Sequence, residues 1–233
     1  MSDKPFIPVI QKTSVLIVMA LVSIVAFAAA FFSREVIISN TYDMKVNSAE
    51  QMEKAMAVLK NIRMQKGVFV DIENDPNETG LIGSQFSLIT TDEGDLDAKL
   101  TTLDPNFSAA MVELLTKAGL TSGDTIAVML TGSMPGANMA MLIACDALDI
   151  YPIVITSVGA SQWGANDPDM TWVDMEKLLF DRGLISTRSI AASIGGRNDQ
   201  GRLLSPKGRE LIRSNIAEPV SYTHLTLPTN REV

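Results

Sequence analysis

Three stretches hold the residues whose types and spacing could do chemistry. The first is "TGSMPGAN", residues 131–138, set between the apolar run "TIAVMLT" and the helical "GANMAMLIACDALD". A strand, a Gly-Ser turn and a helix start bring backbone amides toward one point, which attracts phosphate or carboxylate. Thr131 and Ser133 add hydroxyls, Gly132 could supply a left-handed φ in the turn, and Asn138 adds an amide one helical turn on. Three readings stay open here: an anion cradle, a plain strand-to-helix turn, and a nucleophilic Ser133. The spacing matches neither G-x-x-x-x-G-K-[ST] nor G-x-G-x-x-G, and it is not G-x-S-x-G. A nucleophilic Ser133 would need a lysine or a carboxylate as base, since the single histidine, His224, lies in a suspect tail.

The second stretch, "TSVGASQWGANDPDMTW" (residues 156–172), offers Ser157, Ser161, Trp163, Asn166 and Asp167 on one loop. Plain roles compete for two of them: Trp163 as packing, and Asp167 as the cap of a turn at Pro168. The third, "SIGGRNDQGRLLS" (residues 193–205), supplies Arg197 and Arg202, a plausible carboxylate clamp or else a solvated loop. All three loops should leave neighbouring strand ends and converge. The acidic "VDIENDPNETG" lacks the spacing of a calcium loop, so no metal ligand is assigned, and no cofactor is identified. The lone Cys145 sits in an apolar helical run and reads as a buried thiol.

The elements that must position these residues alternate along the chain. "TIAVMLT", "PIVITSV" and "TRSIAASI" read as strands, while helices follow in "GANMAMLIACDALD", "DMTWVDMEKLLFDRG" and "SPKGRELIRSNI". Continuous apolar strands separated by helices predict a three-layer, Rossmann-like α/β domain with a mostly parallel sheet covered on both faces. Upstream, residues 47–67 predict an amphipathic helix capped by Ser48 with Gln51. Met52, Met56, Leu59 and Met64 share one face, which could be core or could dock a partner. Residues 108–118 predict another helix, and "SLITT" a short strand.

Two ends of the chain stand apart from this domain. Residues 14–32 carry no charge, and as a helix they span roughly 28 Å, close to a bilayer's apolar thickness. "AFAAAFF" offers the small residues of a cleaved signal peptide, but the run's length and bulky Phe31 and Phe32 favour an uncleaved single-pass anchor after a cytoplasmic segment of residues 1–13, with a linker at 33–46 and an α/β domain at 47–219. Lys4 and Lys12 before the span place the domain on the outer face of the cell membrane. Residues 220–233 have no strand or helix period and resemble the translation of a sequencing-library adapter, so the natural chain is expected to be cut near Pro219. Between Glu35 and Pro219 acidic side chains outnumber basic ones 25 to 15. That balance repels nucleic acid, so a polyanion could be met only by a local basic patch.

Quoted together, "DPNETGLIGSQFSLITTDEGDLDAKLTTLDPNF", "GSMPGAN", "SVGASQWGANDPDMTWVDME" and "SIGGRNDQGRLLSPKGRELI" resemble the poly-gamma-glutamate system protein family over residues 47–218. The resemblance implies a bacterial membrane accessory of poly-γ-glutamate, or capsule, synthesis or export, with synthase and export components as partners. It also implies a longer chain, and it transfers no catalytic residue. A carboxylate-bearing ligand at the strand-end loops is then the leading expectation. The alternatives are a hydrolase or transferase of γ-glutamyl amides using Ser133, and a structural partner of the synthase complex.

Overall fold

The computed structural model describes residues 12–35, 38–67 and 70–217, which form parts of two compact units, residues 1–39 and 40–233. His224, Lys4 and the expected cut near Pro219 lie outside the described residues. In the first unit, α1 (Thr13–Phe32) is one helix of 20 residues with mean hydropathy 2.9. It is long and apolar enough to cross a membrane.

The second unit runs α2 (Tyr42–Gln65), α3 (Leu96–Thr102), α4 (Asn106–Lys117), β1 (Thr125–Thr131), α5 (Pro135–Ala147) and β2 (Tyr151–Ser157). There follow β3 (Asn166–Asp167), β4 (Met170–Thr171), α6 (Trp172–Asp181), β5 (Ala191–Ser193) and α7 (Pro206–Ala217). β1, β2 and β5 form a parallel sheet in that order, with Thr131, Ser157 and Ser193 level at their carboxyl ends. This is an α/β arrangement, as the alternating runs predict.

The sheet is covered on one face only among the described residues. Val128, Leu130 and Val154 point into a core built with Met52 and Leu59 of α2, Met139 and Leu142 of α5, and Met175 and Leu179 of α6. The opposite face presents Met129 (81% exposed), Tyr151 and Ile153. The described residues therefore show two of the three expected layers, and strand order explains why. The order β1-β2-β5 steps in one direction, and right-handed crossovers that step one way deposit every connecting helix on the same side. A second layer would need strands added beyond β1, where a Rossmann sheet reverses. The described strands contain no such reversal.

Four local expectations change. Ser48 is no cap: α2 begins six residues earlier, and the buried Ser48 hydroxyl donates to the Lys45 carbonyl inside the helix. Met52 and Leu59 are fully buried and Met56 packs against the same core, so most of the methionine face is core, while Met64 at its end is 56% exposed. "SLITT" reduces to a single bridge between Thr90 and Ala160. Residues 96–102, with no helix expected, form α3. Asp95 caps α3 by accepting from the Ala98 N–H at 3.0 Å.

Candidate functional site

The turn after β1 is built from its own backbone. Gly132 donates its N–H to Ser157 O at 2.8 Å and accepts from Ala165 N–H at 2.8 Å, which locks the β1 and β2 loops together. A side chain at Gly132 would bring its Cβ to 2.4 Å from Val158 O, so close backbone approach demands glycine here; its φ is not left-handed. The Ser133 N–H turns to Thr131 Oγ1 at 3.3 Å, and the Met134 N–H to Thr131 O at 3.3 Å. Pro135 has no N–H. The amides of residues 132–134 are thus already occupied, and the cradle expected in this turn has no free donors at those positions. Asn138 is occupied too, donating from Nδ2 to Thr131 O at 2.7 Å while itself buried.

What does gather here is a lysine. Gly136, at the start of α5, packs so closely that an added Cβ would lie 2.5 Å from Thr102 O at the end of α3. That contact carries Lys99 of α3 beneath the turn. Its Nζ donates to Ser133 O at 2.5 Å and to Ser161 Oγ at 2.9 Å, with Met134 Sδ at 3.9 Å. Ser161 returns its backbone N–H to Ser133 Oγ at 2.9 Å. Lys99 is 3% exposed and forms no ion pair among the described residues. Burial lowers its pKa to about 8, against the opposing field of Asp95.

The rest of the middle loop is structural. Asn166 is fully buried: its Oδ1 accepts from Ser84 N–H, and its Nδ2 donates to Ser84 O and Thr90 Oγ1. Asp167 lies 3.9 Å from the buried Arg63, whose guanidinium also donates to Gly80 O at 2.6 Å. Trp163 holds a left-handed φ of 64°, packs on the main core and exchanges backbone bonds with Gly83 and Ser84. These three residues fix the loop, and the buried Asn166 amide is fully engaged by Ser84 and Thr90. In the acidic stretch, Asp75 is buried and accepts from the Thr79 N–H and hydroxyl and from the Gly80 N–H.

The third loop makes a separate site. Gly195 and Gly196 adopt left-handed φ, and Asp199 accepts the Gly195 N–H at 2.6 Å, so the loop folds back on itself. Ser157 and Arg197 line a cavity of about 320 Å³ there, together with Ile155, Ser193 and Asn198. Beside it, a cavity of about 430 Å³ is lined by Arg197, Arg202 and Arg209 with Asn198, Gln200 and Leu203. Arg209 comes from α7 and is tied in place by donating from Nε to Gly201 O at 3.3 Å. None of the three arginines forms an ion pair among the described residues.

Of the loops expected to converge, the first two therefore meet around Lys99, while the arginines stand on their own cavity at the β5 end. Lys99 and Arg209 escaped the sequence reading, although Asp95 before "LDAKL" is a cap signal that could have revealed α3. Fold and sites together define an α/β domain with two cationic centres at the carboxyl ends of a parallel sheet. Comparison with family models, curated proteins and solved structures finds no match.

Proposed function

We propose that the chain is a single-pass membrane protein whose domain, on the outer face, holds a polymer of carboxylates as an accessory of poly-γ-glutamate synthesis or export. One observation carries this reading: Arg197, Arg202 and Arg209 face a single cavity, with no ion pair among the described residues, in a domain rich in acid. Guanidinium groups keep their charge at any physiological pH and match a carboxylate with two parallel N–H donors. The apolar α1 supports the anchor, and the four family-like segments support the polymer. Synthase and export components are the partners this reading implies.

The full chain in detergent, titrated with poly-γ-glutamate by calorimetry, tests it. Affinity should fall steeply with added salt, and Arg197→Ala or Arg202→Ala should each weaken it roughly tenfold or more, as loss of a charge-assisted bond does. Absence of binding by the folded chain at low salt would refute the reading. For orientation, reporters fused after Asn40 should read outside the cytoplasm.

The alternative of a nucleophilic Ser133 has less support. The only amine in the cluster reaches Ser161, not the Ser133 hydroxyl, which already accepts an N–H.

A further inference from the structure

The carboxylate reading leaves Ser161 and Lys99 unused. Nζ of Lys99 stands 2.9 Å from Ser161 Oγ, a distance that serves proton transfer in either direction. The amine is held on its other side by Ser133 O at 2.5 Å, so it cannot swing away without losing that bond. Ser161 is half-buried, whereas Lys99 is buried. The Ser161 backbone is pinned by its bond to Ser133 Oγ at 2.9 Å.

We propose that Ser161 is a nucleophile, with Lys99 as its general base, and that it accepts the acyl group of an amide. Neutral Lys99 takes the hydroxyl proton as Ser161 Oγ bonds to the amide carbonyl carbon. The C–N bond then breaks, the departing amine carries off that proton, and an ester remains on Ser161. Water attacks the ester, passes a proton through Lys99 back to Ser161 Oγ, and releases the acid. That the amide is a γ-glutamyl one rests on the proposed function; the nucleophilicity of Ser161 does not.

The surroundings favour a neutral amine. Asp95, at the start of α3, is the one charged group acting on Lys99. The groups that face it from the β1–α5 turn and the β2 loop, Ser133, Met134 and Ser161, carry no charge. A lysine desolvated in this way is half neutral near pH 8, within reach of ordinary conditions.

The test treats the full chain with a fluorophosphonate and maps the adduct by mass spectrometry. Oxygen of the reactive serine bonds to phosphorus, and fluoride leaves. The adduct should fall on Ser161, form faster as pH rises through about 8, and slow at least a hundredfold in Lys99→Arg and in Lys99→Met. The first variant keeps the charge without the base; the second removes a buried charge and so should remain folded by circular dichroism. Lys117→Ala, on the exposed face of α4, should label normally. No adduct on Ser161, an adduct on Ser133 instead, or rates unchanged in both Lys99 variants would overturn the proposal. In parallel, a γ-glutamyl p-nitroanilide should release p-nitroaniline in the wild type and not in Ser161→Ala. Labelling of Ser161 without binding of poly-γ-glutamate would remove the substrate class and leave the nucleophile standing.

Discussion

Lys99 and the arginine triad sit at the same end of one sheet, yet the fold treats their charges in opposite ways. Lys99 is buried under the β1 turn, its hydrogens directed at a carbonyl and a hydroxyl, and burial lowers its pKa to about 8. Arg197 and Arg202 stay in solvent around a cavity. Desolvation disfavours the ion and so readies a base, whereas an exposed guanidinium can do little except attract anions. Proton chemistry belongs to the first region, electrostatic capture to the second.

The comparison breaks most violently at Gly132, because the turn over Lys99 depends on its backbone lying against Val158 O. Gly132→Val sets backbone against side chain and should cost more than about 3 kcal/mol, seen as loss of a cooperative thermal transition. A comparable change at Gly123, where nothing lies near an added Cβ, meets only the penalty of its left-handed φ and should cost less.

Next in size is the pH dependence of stability. Lys99 has a folded pKa of about 8 against 10.5 for an ordinary solvated lysine, so between these values the unfolded chain holds a proton that the folded chain has released. Stability therefore rises with pH across that window, and the charged form is a burden below it. Relative to Lys99→Met, the wild type should gain about 3 kcal/mol from pH 8 to 10.5 in denaturant titrations. Arg202→Met should show no such difference. Equal pH dependence in wild type and Lys99→Met would remove the distinction between the two regions.

These contrasts were only partly legible in the sequence. β1, α5, β2 and α7 stand out because apolar runs of strand length alternate with helical spacing, and that placed Ser133 and Ser161 on adjacent strand ends. α3 was hidden by its seven residues inside an Asp-rich segment, and Lys99 was hidden with it. The bare sheet face was invisible because Met129 and Ile153 look as apolar as Val128 and Val154, and only strand order says which side the helices take. Asn138 and Asn166 seemed available as ligand groups because a sequence does not reveal that an amide already holds a backbone carbonyl.

Smaller effects sharpen the picture further from the two centres. Asp167→Asn weakens the charge partner of Arg63 across 3.9 Å and should cost about 1 kcal/mol or less, while leaving polymer binding intact. Cys145 is buried and its thiol is pushed up to about 12 by desolvation. It should resist alkylation at pH 8 in the folded chain and react fully in denaturant.

The most direct test of the division between the two regions uses the full chain carrying Ser161→Ala, which cannot cleave the ligand. An N-acetylated oligo-γ-glutamate can be titrated into it by calorimetry at pH 7 and at pH 9, at fixed ionic strength. Its carboxylates and the arginines are charged at both values, whereas Lys99 passes from mostly charged to mostly neutral. The account predicts equal affinity at the two pH values. A collapse of binding at pH 9 would place the carboxylates on Lys99 and contradict it.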